Sequence, residues 1–209
     1  MLNAQEETAA VLRPATTPAA ITTPVEAASA DAGKMKIAAG DLRGAIETYD
    51  EVLIRDPRNT AALLSRSETY VMLGEHHRAE TDLWNILGVQ QKGPYAERAF
   101  LKLGENALAA NDPRTADILF DRYVRIAPED ALAWCKRGMA RMALHQDEEA
   151  LDDLEKAIQL DPQLDVAHVN KAMILLRMGF RQEGCAALQF AHDLGDLSTE
   201  ELLLIHCDR

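Results

Sequence analysis

An all-α solenoid of five helical hairpins closed by a short C-terminal helix is the architecture this sequence predicts, and three observations carry it. First, residues 131–162 read as two amphipathic helices. One covers Leu132–Ala143, with Leu132, Cys135, Met139 and Met142 at helical spacing, and the other covers Glu148–Leu160, with Ala150, Leu151, Leu154, Ala157 and Ile158 on one face. Asp161-Pro162 stops the second, because proline supplies no N–H and disfavours helix in the residue before it. Neither helix can bury its apolar face alone, so the pair needs a neighbour. Second, the same marks recur along the chain, with Pro128 lying 34 residues before Pro162. Third, aromatic residues make up only 5% of the chain, which suits Leu/Ala/Met helix packing better than a β-sandwich.

The hairpin resembles the tetratricopeptide repeat, whose pattern is W-x2-L-G-x2-Y, then A-x3-F, then P. Trp134, Gly138, Ala150, Leu154 and Pro162 carry the resemblance, while Arg137 and Arg141 stand where the pattern has Leu and Tyr. The copy before it supplies Phe100, Leu103, Gly104, Ala116, Phe120 and Pro128. Its turn is Asn111-Asp112-Pro113, where Asp112 suits the cap and Pro113 the first helical position. Earlier still come Leu63, Tyr70, Gly74, Ala79 and Leu83, preceded by Gly33, Gly40, Asp41, Ala45, Tyr49 and Pro57. The last copy supplies His168, Leu175, Gly179, Gly184, Leu188 and Ala191.

The expected organisation is a leader at 1–25, repeats at 26–59, 60–93, 97–130, 131–164 and 165–197, and a capping segment at 198–209. The resemblance implies a right-handed superhelix whose repeats contact only their neighbours. Gly104 with Ala116 and Gly138 with Ala150 mark close helix crossings, and Phe100, Phe120, Trp134 and Leu154 are expected to fill the space between neighbouring pairs. Gly138→Leu should therefore damage the fold far more than Gly93→Leu. Pro57 and Pro128 lie 71 residues apart, three more than two repeats, and the surplus falls in Gln90–Tyr95. That loop reads as a slightly longer turn or as a kink in the groove. Ser198 and Glu201 read as a capping box ahead of Leu202, Leu203 and Ile205.

Composition narrows the function. The net charge is −12, with 34 acidic against 22 basic residues, and no Lys/Arg cluster offers a nucleic-acid or anionic-membrane surface. No apolar run approaches the roughly 20 residues that span a bilayer, so no membrane insertion is expected. The Ala/Thr/Pro-rich stretch Met1–Pro24 has too little apolar surface to fold alone. It reads as the native start of a cytoplasmic protein or as the linker after a removed export signal, which would place the chain in a periplasm or cell envelope.

Catalytic and metal motifs are missing. HExxH, GxSxG, GxxxxGK[ST] and GxGxxG do not occur, and no cofactor is expected. The carboxylates of Asp147–Glu155 read as helix N-terminal acids complementing the dipole, with Lys156 near Asp152 and Asp153. Cys185, His192, His206 and Cys207 offer metal-ligand chemistry without a known spacing, and a metal-dependent enzyme built there is the weakest of three readings.

The leading reading is a non-enzymatic scaffold that holds a protein or peptide partner. The family resemblance implies a concave groove lined by the first helix of each pair. It assigns Lys34, Leu64, Glu68 and Met72, then Arg98, Leu101, Lys102 and Glu105. Further on it assigns Leu132, Cys135, Lys136, Met139 and Met142, then Val169, Asn170, Met173 and Leu176. The C-terminal part of that set is apolar and methionine-rich, which suits varied apolar partners. Family members that clamp a chaperone's C-terminal carboxylate use a Lys/Asn/Asn/Lys/Arg set. Lys34, Ser65, Arg98 and Lys102 match it only loosely, with both asparagines missing, so that mode is not expected. The runner-up is a structural subunit of a bacterial envelope or secretion assembly using its outer or terminal face.

Similar bacterial envelope repeat proteins often carry cysteines in the last repeat and at the end of the closing helix. That resemblance implies a Cys185–Cys207 disulfide in an oxidising compartment. Two ordinary buried thiols in a cytoplasmic protein remain the other reading.

Overall fold

The computed structural model describes residues 30–207, all of whose regular structure is helical. The leader expected at 1–25 lies outside those residues. Eleven helices follow in order among them: α1 (Ala30–Ala38), α2 (Leu42–Arg55), α3 (Thr60–Met72), α4 (His76–Val89), α5 (Pro94–Ala109), α6 (Pro113–Ile126), α7 (Ala131–Ala143), α8 (Asp147–Leu160), α9 (Asp165–Arg177), α10 (Arg181–Asp193) and α11 (Thr199–His206). Consecutive odd and even helices pair as hairpins, each hairpin packs on the next, and α11 packs on α10. The result is an α-solenoid. From α1 to α9 each odd helix also touches the next odd helix, so these five form one continuous inner wall.

Short polar side chains start several of these helices. Asp41 accepts from Gly44 N–H at 2.9 Å, Asn59 from Ala62 N–H at 3.0 Å and Asp112 from Thr115 N–H at 3.1 Å. Each satisfies one of the donors that a helix N-terminus leaves without an intrahelical partner. Tyr123 donates to Asp130, whose other oxygen caps α7 at Leu132 N–H. Burial, reinforced by that carboxylate, raises the Tyr123 phenol and keeps it a donor. The expected capping box at α11 does not form. Ser198, just before α11, has helical backbone angles, and its hydroxyl turns to Asp196, whose carboxylate also accepts Ser198 N–H at 2.9 Å.

The repeat frame separates two kinds of small residue. Gly33, Ser67, Gly104, Gly138 and Ala172 occupy the crossing inside each hairpin and are buried. A Cβ on Gly104 would lie 2.4 Å from Phe120, one on Gly33 2.4 Å from Tyr49, and one on Gly138 3.0 Å from Leu154. Phe120 and Leu154 therefore cover the glycine inside their own hairpins. Ala45, Ala79, Ala116 and Ala150 face those crossings with no exposure.

Gly40, Gly74, Asn111, His145 and Gly179 hold the other position. All five have positive φ, between 59° and 90°, at the turn inside each hairpin. There the chain closes by hydrogen bonds such as Glu75 N–H to Tyr70 C=O, which terminate the first helix in a left-handed cap. Gly40, Gly74 and Gly179 thus mark turns and not crossings. Gly93, just before α5 in the longer connection, also has positive φ (88°).

Candidate interaction groove

The inner wall carries a charge ladder at its centre. Arg98 of α5 reaches Glu68 of α3 at 2.8 Å, and Glu105 accepts from Lys102 at 3.0 Å and from Lys136 of α7 at 2.7 Å. Burial alone would raise the Glu105 carboxyl, but the two lysine contacts outweigh it and hold it below its ordinary value. Asn106 adds a bond to Glu80 on the neighbouring outer helix.

Glu68, Arg98, Lys102, Glu105 and Asn106 border a cavity of about 450 Å³, together with Ser67, Val71, Met72 and Leu83. Val71 and Met72 are exposed apolar side chains at its edge, and Arg98 and Lys102 lie opposite. One wall can bury an apolar group while the other offers donors to a carboxylate or carbonyl. Of the residues assigned from sequence, Glu68, Met72, Arg98, Lys102 and Glu105 meet here, and Lys136 joins through Glu105. Ser67, Leu83 and Asn106 also line it without having been singled out. Asn106 was legible as two residues beyond Gly104 on the polar flank of α5. Leu83 belongs to an outer helix, where a rule based on first helices does not look.

The remaining assigned residues are placed differently. Leu64 and Leu101 pack against the N-terminal core, and Met139 and Met142 against the C-terminal one. Lys34 pairs with Asp31 at 3.4 Å, and the Asn170 amide donates to Val166 C=O of its own helix. Leu132 and Val169 are half-buried. Met173 and Leu176 line a separate cavity with Arg177, Ile205 and His206, under α11.

Cys135 is a correction to the groove. It has no exposed surface, and burial pushes its thiol up to about 12. It is a core residue, because at that point α7 meets both its own partner helix and the next hairpin.

In the acidic run on α8, Asp147, Glu148 and Glu149 lie in the first helical turn as expected, but Asp153 does not follow them. Asp153 is buried and paired with Arg137 at 2.7 Å and Arg141 at 2.8 Å, rather than lying at a solvated first turn beside Lys156. Arg137 reaches on to Asp121 of α6 at 3.1 Å. Arg66 does the same two repeats earlier, between Asp50 of α2 and Asp82 of α4. The arginines that depart from the repeat pattern therefore tie successive outer helices together.

At the C-terminal end, Cys185 and Cys207 form a disulfide with a Cα separation of 5.7 Å. Both sulfurs are consumed, so no thiolate pair is left there for a metal.

An all-helical array of hairpins with small residues at each crossing is a tetratricopeptide architecture. Tetratricopeptide repeats are matched in this chain at residues 131–164 and 31–85. It is 26% identical over 154 residues to the human mitochondrial import receptor subunit TOM70, an alignment covering 69% of this chain and 25% of the receptor. The chain thus spans about a quarter of that relative's length. Among solved structures, MamA superposes with a TM-score of 0.68 at 24% identity, covering 83% of this chain and 96% of MamA. YrrB, described as a tetratricopeptide protein with an unusual peptide-binding site, gives 0.69 at 19% identity, covering 84% and 89%.

Proposed function

We propose that this chain is a non-enzymatic interaction scaffold that holds a segment of a protein partner against its inner wall. The observation that carries the reading is the cavity between α3 and α5, with exposed Val71 and Met72 on one side and Arg98 and Lys102 on the other. Apolar contact supplies the gain on burial, and the cations orient a backbone or acidic group. The ladder that includes Glu68 and Glu105 holds those cations in place before a partner arrives. The functions named for the import receptor and for YrrB agree with such a role. No residue set on this wall has the nucleophile, base and orienting group that catalysis would need.

A photo-crosslinking amino acid at Met72 tests the proposal in the native host, with Glu51 on α2 as the control position. The expected result is a discrete adduct from position 72 that disappears when Arg98→Glu and Lys102→Glu are added. Adducts from position 51 alone would reject the groove and favour the outer face.

A second reading, a structural role in a bacterial envelope or secretion assembly, is supported by the Cys185–Cys207 disulfide, since such bonds persist in oxidising compartments. The two readings share the fold and differ in which face is occupied.

A further inference from the structure

Successive outer helices of the array are joined by a recurring set of three positions: one on the preceding outer helix, one on the next inner helix, and one on its own outer partner. Between α2 and α4 these are Asp50, Arg66 and Asp82, and between α6 and α8 they are Asp121, Arg137 and Asp153. Between α8 and α10 the first two are Glu155 and Lys171, paired at 2.8 Å. Between α4 and α6 the same three positions hold Trp84, Leu103 and Leu119. The ionic tie is absent there and an apolar crevice of about 570 Å³ takes its place.

Leu87, Phe100 and Leu119 form its buried floor, while Trp84 and Ile118 stand 52% and 62% exposed at its mouth. Lys92, Arg122 and Arg125 rim it, and no acidic residue lines it. Arg125 keeps Asp121 at 2.8 Å, but Lys92 and Arg122 have no ion-pair partner among the described residues. In a chain of net charge −12, a cationic rim around exposed apolar side chains is a local reversal of the surface.

We propose that this crevice is a second docking site, on the outer face, for a partner segment carrying a large apolar side chain flanked by carboxylates. The apolar group would lie on that buried apolar floor beside Trp84, and the carboxylates would meet Lys92 and Arg122. Charge complementarity selects an acidic segment over a neutral or basic one. The site does not require the inner groove to be occupied.

The test uses the full chain and three fluorescein-labelled hexapeptides: Asp-Asp-Leu-Phe-Asp-Asp, the same with lysines for the aspartates, and Asp-Asp-Gly-Gly-Asp-Asp. Fluorescence polarisation should show binding of the first alone. Lys92→Glu with Arg122→Glu should weaken it by about tenfold or more, and Trp84→Ser should remove it. Both changes lie on exposed side chains, and helicity by circular dichroism checks the fold. Arg98→Glu with Lys102→Glu, in the inner groove, should leave the affinity unchanged. Equal binding of the lysine peptide, indifference to Arg122→Glu, or loss with the inner-groove variant would each overturn the proposal. So would self-association in sedimentation velocity that Trp84→Ser abolishes, which would assign the crevice to a second copy of this chain.

Discussion

Arg137 donates to both carboxylate oxygens of Asp153, at 2.7 and 2.9 Å, and its third nitrogen continues to Asp121. Asp153 is 2% exposed and the Arg137 side chain 11%, so this is a buried pair joining three helices of two repeats. Removing one partner strands a buried charge. Arg137→Met should destabilise the fold near the lower end of about 3–5 kcal/mol, because Arg141 still reaches Asp153. Asp121→Asn, at the less buried end, should cost less than about 1 kcal/mol. Urea denaturation of the two variants checks the order. Equal losses would show that the network does not bear on the coupling between repeats.

The architecture was legible because a helical hairpin repeated at 34 residues writes its crossings, turns and stops into the sequence many times over. Ala45, Ala79, Ala116 and Ala150 fall in one frame and all are fully buried. The site was legible only in part. Glu68, Arg98, Lys102 and Glu105 follow from their helix faces. Cys135 does not, since a position on a first helix can face the groove or the next hairpin with the same spacing. The outer-face features were hidden for another reason. Arg137 departs from the repeat pattern when one copy is read alone, and its meaning appears only when Asp121, Arg137 and Asp153 are read across two copies beside Asp50, Arg66 and Asp82. Gly74 and Gly179 show the same difficulty: a glycine at a turn and one at a crossing look alike in sequence and differ in φ.

That distinction changes the glycine experiment. Gly93 has φ of 88°, so a leucine there is strained whatever space surrounds it, and Gly93→Leu cannot serve as the harmless comparison. Gly88 can, being exposed, inside α4 and free of neighbours within 4 Å. Gly138→Leu should cost about 1–3 kcal/mol by overpacking, because its first side-chain atom already meets Leu154 and the Ala150 carbonyl. Gly88→Leu should be neutral or mildly stabilising, since leucine favours helix over glycine by several tenths of a kcal/mol up to about 1 kcal/mol. Thermal melts of the two variants decide.

Glu105 gives the groove a pH signature. Its folded carboxyl titrates below the ordinary 4.5, so the folded protein binds fewer protons there than the unfolded chain. Its contribution to stability is therefore complete above that ordinary value and is lost as pH falls through the lower folded value. Carbon-detected NMR should place the Glu105 midpoint below 4.5, and Lys136→Met should move it upward. A midpoint unchanged by Lys136→Met would mean that the lysine contact does not persist in solution.

The cysteines make the last prediction, and it concerns count as well as stability. Cys185 and Cys207 are joined, leaving Cys135 as the single free thiol, fully buried. Protein purified without reductant from an oxidising compartment should show no reactive thiol when folded, one after denaturation, and three after denaturation with reductant. The bond ties α11 to α10, and the Arg181 guanidinium reinforces the contact by donating to the His206 carbonyl at 2.8 Å. Closing a separation of 22 residues is worth about 3 kcal/mol on the chain-entropy estimate. Cys207→Ser should lower the melting temperature and, through local release, speed amide exchange in α11 while sparing α3–α8, whose repeats contact only their neighbours. Three thiols in unreduced, denatured protein from the native host would instead mean that the chain works in a reducing compartment, with α11 held on α10 by noncovalent contacts such as Arg181 to His206 and Thr199 to His192.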